Sequence, residues 1–231
     1  MVRQKTLCAQ ANRTAPVVPP AEHIHEIDAA LEHLRATGKG QSDFGKEDFP
    51  LETLADMLSK QLENLENGRG FVLLRGLPVD RYDMDELTKI YWGLGTYLGD
   101  GIYQNAKGDL VGHVTDHGHK FDGDDPYRYN IRAYTTTVSI PPHTDSCDLV
   151  GLLCVHPAES GGGSAVVSST ALYNAFLATR PDLLAPLYEG FYLDLIGKGT
   201  KEKELSHNRI PVFSYFGGKL SCRFNKGQIE H

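Results

Sequence analysis

The sequence predicts a mixed α+β or mainly β protein, built as a β-sandwich or jelly-roll barrel with a helical outer layer. The first hundred residues contain segments with apolar residues at helical spacing, whereas the remainder contains several short apolar or alternating runs. Regular alternation of strands with helices is poor, and neither G-x-G-x-x-G nor G-x-x-x-x-G-K-[ST] occurs. These observations favour helices packed outside a barrel over a parallel α/β sheet.

Size, charge and cysteine content narrow the class of protein. We expect residues 1–231 to form a single domain, with an irregular N-terminal extension over residues 1–23. The net charge of −7 and the lack of a Lys/Arg block disfavour a nucleic-acid partner. No stretch has the ~18 consecutive apolar residues of a membrane span, so no membrane partner is expected. Four scattered cysteines without a C-x-x-C pair indicate reduced thiols in the cytoplasm.

Three helices are predicted before residue 100, each with one apolar stripe, over residues 24–38, 50–68 and 82–99. Gly38 and Gly68 end the first two. In the third, Asp83 stands three residues before Glu86, which is a capping arrangement. A fourth helix is predicted to follow an N-cap at residue 169 or 170.

The predicted strands are short and most lie in the second half of the chain. The clearest is a hairpin over residues 211–224, in which two alternating runs flank Gly217-Gly218. The Gly-, Asp- and His-rich loop before the β-rich part suggests a lid over the substrate, around residues 104–125. The other predicted strands cover residues 70–78, 130–140, 149–155, 164–169 and 190–197.

The segment His143-Thr144-Asp145 follows two prolines and precedes a fully apolar run. In an extended chain, residues i and i+2 point to the same face, so His143 and Asp145 can offer an imidazole nitrogen and a carboxylate oxygen to one metal ion. One further His would complete the 2-His-1-carboxylate triad, which leaves positions on Fe(II) open for a cosubstrate and O₂. The alternative is a surface turn with an Asp–His hydrogen bond.

Two other segments carry candidate chemistry. His113, His117 and His119 lie within seven residues and suit Zn²⁺, which makes a zinc-dependent hydrolase the rival enzyme; a solvated loop is the alternative. Three glycines precede Ser164, so that the backbone can approach a ligand closely and the hydroxyl can hydrogen-bond a carboxylate. For this segment, the residues alone favour a tight connection between strands.

Taken together, several segments resemble the taurine dioxygenase-like (TauD/TfdA) family of non-haem Fe(II)- and 2-oxoglutarate-dependent oxygenases, within the clavaminate synthase-like superfamily. The resemblance extends from about residue 50 to about residue 225. The first and third of its segments are fairly specific in combination. The segments are "LENGRGFVLLRGLPVD", "YWGLGTYLGDGIYQNAKGDLVGHVTD", "HTDSCDLVGLLCVHPAESGGGSAVVSSTALYN" and "FSYFGGKLSCRFNKGQIE".

This resemblance implies a site and a reaction. His143 and Asp145 match the family's H-x-D metal ligands, and no catalytic residue is expected beyond the metal ligands. Ser164 matches a position where the family often has Thr or Ser near the 2-oxoglutarate carboxylate. The implied fold is the double-stranded β-helix, a distorted jelly roll. The implied reaction uses Fe(II) and O₂ to convert 2-oxoglutarate to succinate and CO₂ while a small-molecule substrate is hydroxylated.

One departure from the family pattern concerns the third ligand. The family has a distal His and then an Arg for the far carboxylate of 2-oxoglutarate, both well downstream of the H-x-D. Neither His207 nor His231 stands in the expected strand context. We therefore expect the distal His and the closing strands beyond residue 231, so that the sequence is incomplete at its C-terminus. Two ligands hold Fe(II) more weakly than three, which leaves open whether this polypeptide is active alone.

The leading hypothesis is thus an Fe(II)/2-oxoglutarate-dependent dioxygenase acting on a small molecule. The alternatives are a non-catalytic jelly-roll protein without full metal ligation and the zinc hydrolase. The sequence does not name the substrate, and it leaves the formation of a homo-oligomer open. Candidate substrate or lid residues are Gln104, Asn105, Asn130 and Arg132.

Overall fold

The structure of the chain, a computed structural model, describes residues 16–104, 108–118, 136–194 and 205–229. The chain divides into two compact units, which are described separately. We call the first the helical unit; it comprises Ala9–Val111 and Leu149–Ala165. We call the second the hairpin unit; it comprises Met1–Cys8, Gly112–Asp148 and Val166–His231.

The helical unit contains the three helices that the apolar stripes predict: α1 at Ala21–Thr37, α2 at Thr53–Asn67 and α3 at Met84–Thr96. A short 3₁₀ turn at Val79–Arg81 precedes α3. The capping box of α3 is confirmed, since the Asp83 carboxylate accepts from the Glu86 backbone N–H while the Glu86 carboxylate accepts from that of Asp83. Gly38 ends α1 with a φ of 68°, a conformation that suits glycine.

A continuous core explains why these helices form together. The inward stripes of α1 and α2 meet Phe49 and Ile90, and the Phe49 ring packs directly over Gly93, where a Cβ would clash with it. The Phe44 and Phe49 rings lie 6.0 Å apart between centroids. Burial of apolar surface of this kind is the main stabilising contribution to a domain. The buried core residues are Ile27, Ala30, Leu31, Leu34, Phe44, Phe49, Leu51, Leu54, Leu58 and Ile90.

The N-terminus of α2 is capped by a residue of another helix. The Glu26 carboxylate of α1 accepts from the backbone N–H groups of Glu52 and Leu54, at 3.0 and 3.1 Å, and from the Thr53 hydroxyl. These contacts satisfy N–H groups that have no partner within α2, and they place a negative charge at the positive end of the helix dipole. Glu26 therefore fixes the entry of α2 against α1.

Predicted strands in the helical unit do not form ladders among the described residues. Residues 70–78 make only an isolated parallel bridge between Leu74 and Val17. Residues 149–155 have no regular structure, and Leu152 is 78% exposed. These runs are apolar, as a buried strand would be, but a strand also needs a partner backbone for its N–H and C=O groups. No described segment supplies that partner to residues 149–155.

The hairpin unit contains two helices, α4 at Ser169–Thr179 and α5 at Leu184–Glu189, and a hairpin of β1 (Phe213–Phe216) and β2 (Lys219–Cys222). The predicted hairpin is confirmed, with Phe213 opposite Cys222 and a two-residue turn at Gly217-Gly218. Both glycines have positive φ, 56° and 82°, as a tight hairpin turn of this type requires.

The start of α4 and the strand before the hairpin differ from the prediction. Ser168 caps α4, not residue 169 or 170, because its side chain accepts from the Ala171 backbone N–H. Residues 190–194 form isolated bridges to residues 210, 229 and 205, and residues 195–197 of the predicted strand lie outside the described residues. A small core of Leu184, Val212 and Phe213 joins the helices to the hairpin.

The helices and the two-stranded hairpin neither establish nor contradict a jelly roll. Of the strand predicted over residues 130–140, residues 130–135 lie outside the described part and residues 136–140 form no ladder. The described helices include none that is both long and apolar enough to cross a membrane.

Candidate metal centre

The His143-Thr144-Asp145 segment pairs with the residues that directly follow β2. We call residues 223–225 the hairpin extension. His143 forms an antiparallel bridge with Asn225, and the Thr144 backbone N–H donates to the Phe224 carbonyl at 2.7 Å. The Phe224 backbone N–H in turn donates to the Thr144 hydroxyl at 2.8 Å. Thr144 is thus fixed through both its backbone and its side chain, which holds the residues on either side of it.

A hydrogen bond to the backbone sets the tautomer of His143. Its Nδ1 lies 2.9 Å from the carbonyl oxygen of Pro141. A carbonyl oxygen only accepts hydrogen bonds, so Nδ1 carries the hydrogen and Nε2 carries the lone pair in the neutral ring. Histidines that bind metals generally donate their other ring N–H to a carbonyl or carboxylate in this way. The ring is therefore prepared to offer Nε2 as a ligand.

The Asp145 carboxylate faces that same nitrogen. Its Oδ1 lies 3.8 Å from His143 Nε2, and the two side chains are 54% and 34% exposed. Neighbouring ligands of an octahedral ion at about 2.1 Å lie roughly 3 Å apart, so the pair must close by under about 1 Å to share a metal. Half-exposed side chains can make this adjustment by rotation. The donor set, the tautomer and the facing of the two groups therefore fit two ligands of a ferrous ion.

The described residues do not supply a third ligand. No group of three or more His, Cys, Asp and Glu side chains suited to a metal ion occurs among them. His207 is described and exposed, whereas His231 lies outside the described residues. The distal His of the family pattern therefore stays a prediction.

Ser164 belongs to the helical unit and follows a turn of glycines. Gly161 and Gly162 have φ of 71° and 70°, and a Cβ on Gly162 would come within 2.9 Å of the Ala158 Cβ. Both the positive φ and the close approach require glycine there. Ser164 is exposed beyond this turn.

The candidate substrate or lid residues are only partly described. Gln104 is exposed and uses its side-chain amide locally, since it donates to the Ile102 carbonyl at 2.9 Å. Its backbone N–H donates to the Asp109 carbonyl at 2.7 Å. Asn105, Asn130 and Arg132 lie outside the described residues.

The rival zinc site has no support in the part of the chain that the structure describes. His113 and His117 are exposed there, and His119 lies outside it. Within the described ranges, the first two do not come together with a further metal-binding side chain.

The sequence predicted the hairpin, which is confirmed, and suggested the H-x-D pair as metal ligands, which stays a prediction, but it did not reveal the pairing between these two segments. Thr144 and Phe224 are 80 residues apart, and no local periodicity reports contacts of that range. The only signal was compositional: a β-branched hydroxyl residue between two candidate ligands suits a strand edge.

Comparison with known proteins decides the family. The family described as taurine catabolism dioxygenase TauD, TfdA family matches residues 32–215. The chain belongs to this family. The resemblance inferred from the sequence segments is therefore confirmed.

Two relatives support the same family. The chain is 33% identical to FR-33289 synthase of Streptomyces rubellomurinus over 202 residues, which cover 86% of this chain and 57% of the relative. It is 30% identical to taurine hydroxylase-like protein SAT17 of Stachybotrys chartarum over 204 residues, which cover 87% of this chain and 51% of the relative. The chain thus spans about half the length of the curated relatives that it matches.

Proposed function

We propose that this protein carries the metal-binding motif of an Fe(II)- and 2-oxoglutarate-dependent dioxygenase that hydroxylates a small molecule and releases succinate and CO₂. Membership of the TauD, TfdA family supports this class of activity. The observation that carries the proposal is the geometry of the H-x-D pair: Nδ1–H of His143 donates to Pro141, while Nε2 faces the Asp145 carboxylate at 3.8 Å.

Each residue has a separate task in this proposal. His143 and Asp145 hold Fe(II), which when bound supplies the activation of O₂. Pro141 keeps the imidazole in the tautomer whose Nε2 lone pair is available. Thr144 holds the segment against the hairpin through Phe224. Ser164 donates its hydroxyl to a carboxylate of 2-oxoglutarate, and the preceding glycines let the backbone approach that cosubstrate.

The wider architecture is part of the proposal. We propose one dioxygenase domain with a double-stranded β-helix and a helical outer layer, completed by a distal His and an Arg that are not among the described residues. The segment from Gln104 to residue 125 is proposed as a lid over the substrate. The cytoplasmic location stays a prediction from cysteine usage.

Metal titration tests the proposed ligands directly. Fe(II) is added anaerobically to the full chain and to His143→Ala and Asp145→Ala, and binding is followed by isothermal titration calorimetry. We expect each substitution to weaken binding at least tenfold, on the order of the loss seen for metal-site residues. Circular dichroism should show unchanged folding, because both side chains are partly exposed.

Matched controls are available in the same unit. His207→Ala and Asp148→Ala remove the same chemical groups from exposed positions outside the pair. They should bind Fe(II) like the unsubstituted chain. Equal Fe(II) affinity of Asp145→Ala and the unsubstituted chain would refute the assignment. A protein that binds no Fe(II) would instead favour the non-catalytic alternative.

The relatives suggest the first substrate to assay. One is named as taurine hydroxylase-like, so taurine, a small aminosulfonate, is the first candidate. With Fe(II), ascorbate and 2-oxoglutarate present, we expect taurine or a related small anion to increase succinate release. Asp145→Ala should abolish that increase, while Asp148→Ala should preserve it.

A further inference from the structure

The pairing between the metal-binding segment and the hairpin extension places Arg223 opposite Asp145. His143 bridges to Asn225, and Thr144 pairs with Phe224, so the next residues in this antiparallel register are Asp145 and Arg223. Residues directly opposite in an antiparallel pair project from the same face. Arg223 therefore lies on the face that carries the two proposed metal ligands.

Arg223 differs from the other arginines described in the hairpin unit. The Arg180 guanidinium pairs with Asp182 at 2.8 Å, and that of Arg209 pairs with Glu189 at 3.9 Å. Arg223 has no such ion pair within the described ranges of the chain. Among the described residues, its guanidinium donates to the Ser146 hydroxyl, at 3.4 Å, which is long for a hydrogen bond from a charged donor.

The chemistry of a guanidinium suits an anionic ligand at this position. Arginine stays charged at all physiological pH values and presents five N–H donors in a planar fork, which matches the oxygens of a carboxylate, sulfonate or phosphonate. Asp145 is the acid directly across, but its carboxylate is committed to the cation once a metal is bound. Most of the donors of Arg223 then remain available beside the reacting centre.

We propose that Arg223, assisted by the Ser146 hydroxyl, binds the anionic group of the small-molecule substrate and thereby selects which part of it faces the metal. This assignment rests on the proposed function, because it requires His143 and Asp145 to hold the metal. The anionic group that Arg223 would bind is a singly or doubly charged oxyanion on an organic molecule. Carboxylate, sulfonate and phosphonate are the three sources to be distinguished.

A structural role is the competing explanation. In that case Arg223 only clamps residues 143–146 to the hairpin through Ser146. The clamp would affect metal binding but would give no anion site. The two roles therefore differ in a measurement that needs neither metal nor turnover.

The test is an NMR titration of the full chain with acetate, methanesulfonate and methylphosphonate at constant ionic strength and without metal. The Nε–Hε signal of Arg223, assigned by its loss in Arg223→Lys, is followed for each probe. The backbone amide signals of residues 143–146 and 223–225 are followed with it, because they remain observable in the substituted chains. We expect a saturable shift with at least one probe, and binding at least about fivefold weaker in Arg223→Met, as for an exposed but multidentate charged contact. Arg209→Met is the matched control and should bind the probe unchanged.

Fe(II) titration of the same variants separates the possible outcomes. We expect Arg223→Met to bind Fe(II) like the unsubstituted chain, and to raise KM for an anionic substrate more than it lowers kcat. Normal Fe(II) binding without a probe response at Arg223 would overturn the anion site alone. Loss of Fe(II) affinity in both Arg223→Met and Ser146→Ala, with unchanged probe binding, would establish the clamp instead. Failure of the unsubstituted chain to bind Fe(II) would overturn the proposed function and the substrate role with it.

Discussion

Among the described residues, the helical unit has a much larger buried core than the hairpin unit. In the helical unit, ten buried side chains from three helices and the segments between them form one core. Among the described residues of the hairpin unit, the corresponding cluster has three buried residues, and β1 runs from a buried Phe213 to a Phe216 that is 88% exposed. Both units expose some large apolar side chains, such as Leu152 and Phe216, but the helical unit has the larger buried core to stabilise it.

This difference separates the region with the larger stabilising core from the region that carries the proposed metal ligands. The helical unit is held by burial, which is non-directional and depends on volume. The proposed metal ligands are partly exposed: the His143 ring donates a hydrogen bond to the Pro141 carbonyl, and Thr144, between the two ligands, is hydrogen-bonded to the Phe224 backbone. Substitutions in the two regions should therefore separate loss of folding from loss of metal binding.

The largest stability effect is expected from Phe49→Ala in the helical core. Phe49 is fully buried and packs over Gly93 and beside Phe44. Its removal should lower the free energy of unfolding by about 4 kcal/mol, because the tightly packed helices cannot close the cavity. Urea denaturation measures this loss. Leu73→Ala, at an exposed position, should change it by less than about 0.5 kcal/mol, and similar losses for the two variants would contradict the assignment of the core.

A smaller loss is expected from Phe213→Ala in the hairpin unit. Phe213 is also fully buried and meets the rings of Tyr173 and Phe176 edge to face. We expect a loss of about 3 kcal/mol, at the low end for this substitution, since a small cluster beside solvent can relax around the cavity.

Phe216→Ala provides the matched control within the same strand. Its side chain is mostly exposed, so the change in unfolding free energy should stay within about 0.5 kcal/mol. Equal losses for Phe213→Ala and Phe216→Ala would mean that the hairpin has a second covered face.

Local patterns predicted local structure well in both units. The apolar stripes predicted α1, α2 and α3 to within a few residues, and Gly217-Gly218 predicted the hairpin turn. These signals succeed because helix faces, caps and tight turns are decided by residues close together in the chain.

Contacts between distant segments could not be predicted in the same way. The run at 149–155 is apolar enough for a strand, but nothing in its own sequence reveals whether a partner backbone is present. The pairing of Thr144 with Phe224, which we call the platform of the H-x-D segment, links residues 80 positions apart. No local sequence pattern could therefore predict it. The H-x-D itself was predicted as a pair of metal ligands from the chemistry of its side chains, and this role stays a prediction.

Thr144→Val tests whether that platform matters for metal binding. Valine keeps the β-branched shape but removes the hydroxyl that accepts from the Phe224 N–H. We expect Fe(II) affinity to fall about tenfold, the lower end for residues that orient metal ligands, because the segment is held less firmly. Calorimetric titration measures the change. Thr144→Ser, which retains the hydroxyl, should restore most of the affinity, and equal affinities for the two variants would argue against the platform.

The smallest expected effect concerns the cap that Glu26 provides to α2. Partial burial acts to raise the pKa of this carboxyl, but hydrogen bonds from Thr53, Leu54 and Glu52 and the charge of His23 outweigh it, so the pKa is lowered from its ordinary value of 4.5. A carboxyl with a lowered pKa in the folded state stabilises that state above its ordinary pKa, and the contribution is lost as the pH falls through the folded value.

Glu26→Gln should therefore destabilise the chain by about 0.5–1 kcal/mol near neutral pH, the size expected for a helix cap that loses its charge. The difference from the unsubstituted chain should shrink as the pH falls below the ordinary pKa of 4.5, because protonation removes the same charge. Urea denaturation at several pH values measures it. Glu66→Gln, at an exposed position near the end of α2, should not reproduce this pH dependence. A constant difference at every pH would mean that Glu26 acts by its shape and not by its charge, so that hydrogen-bond geometry alone joins α1 to α2.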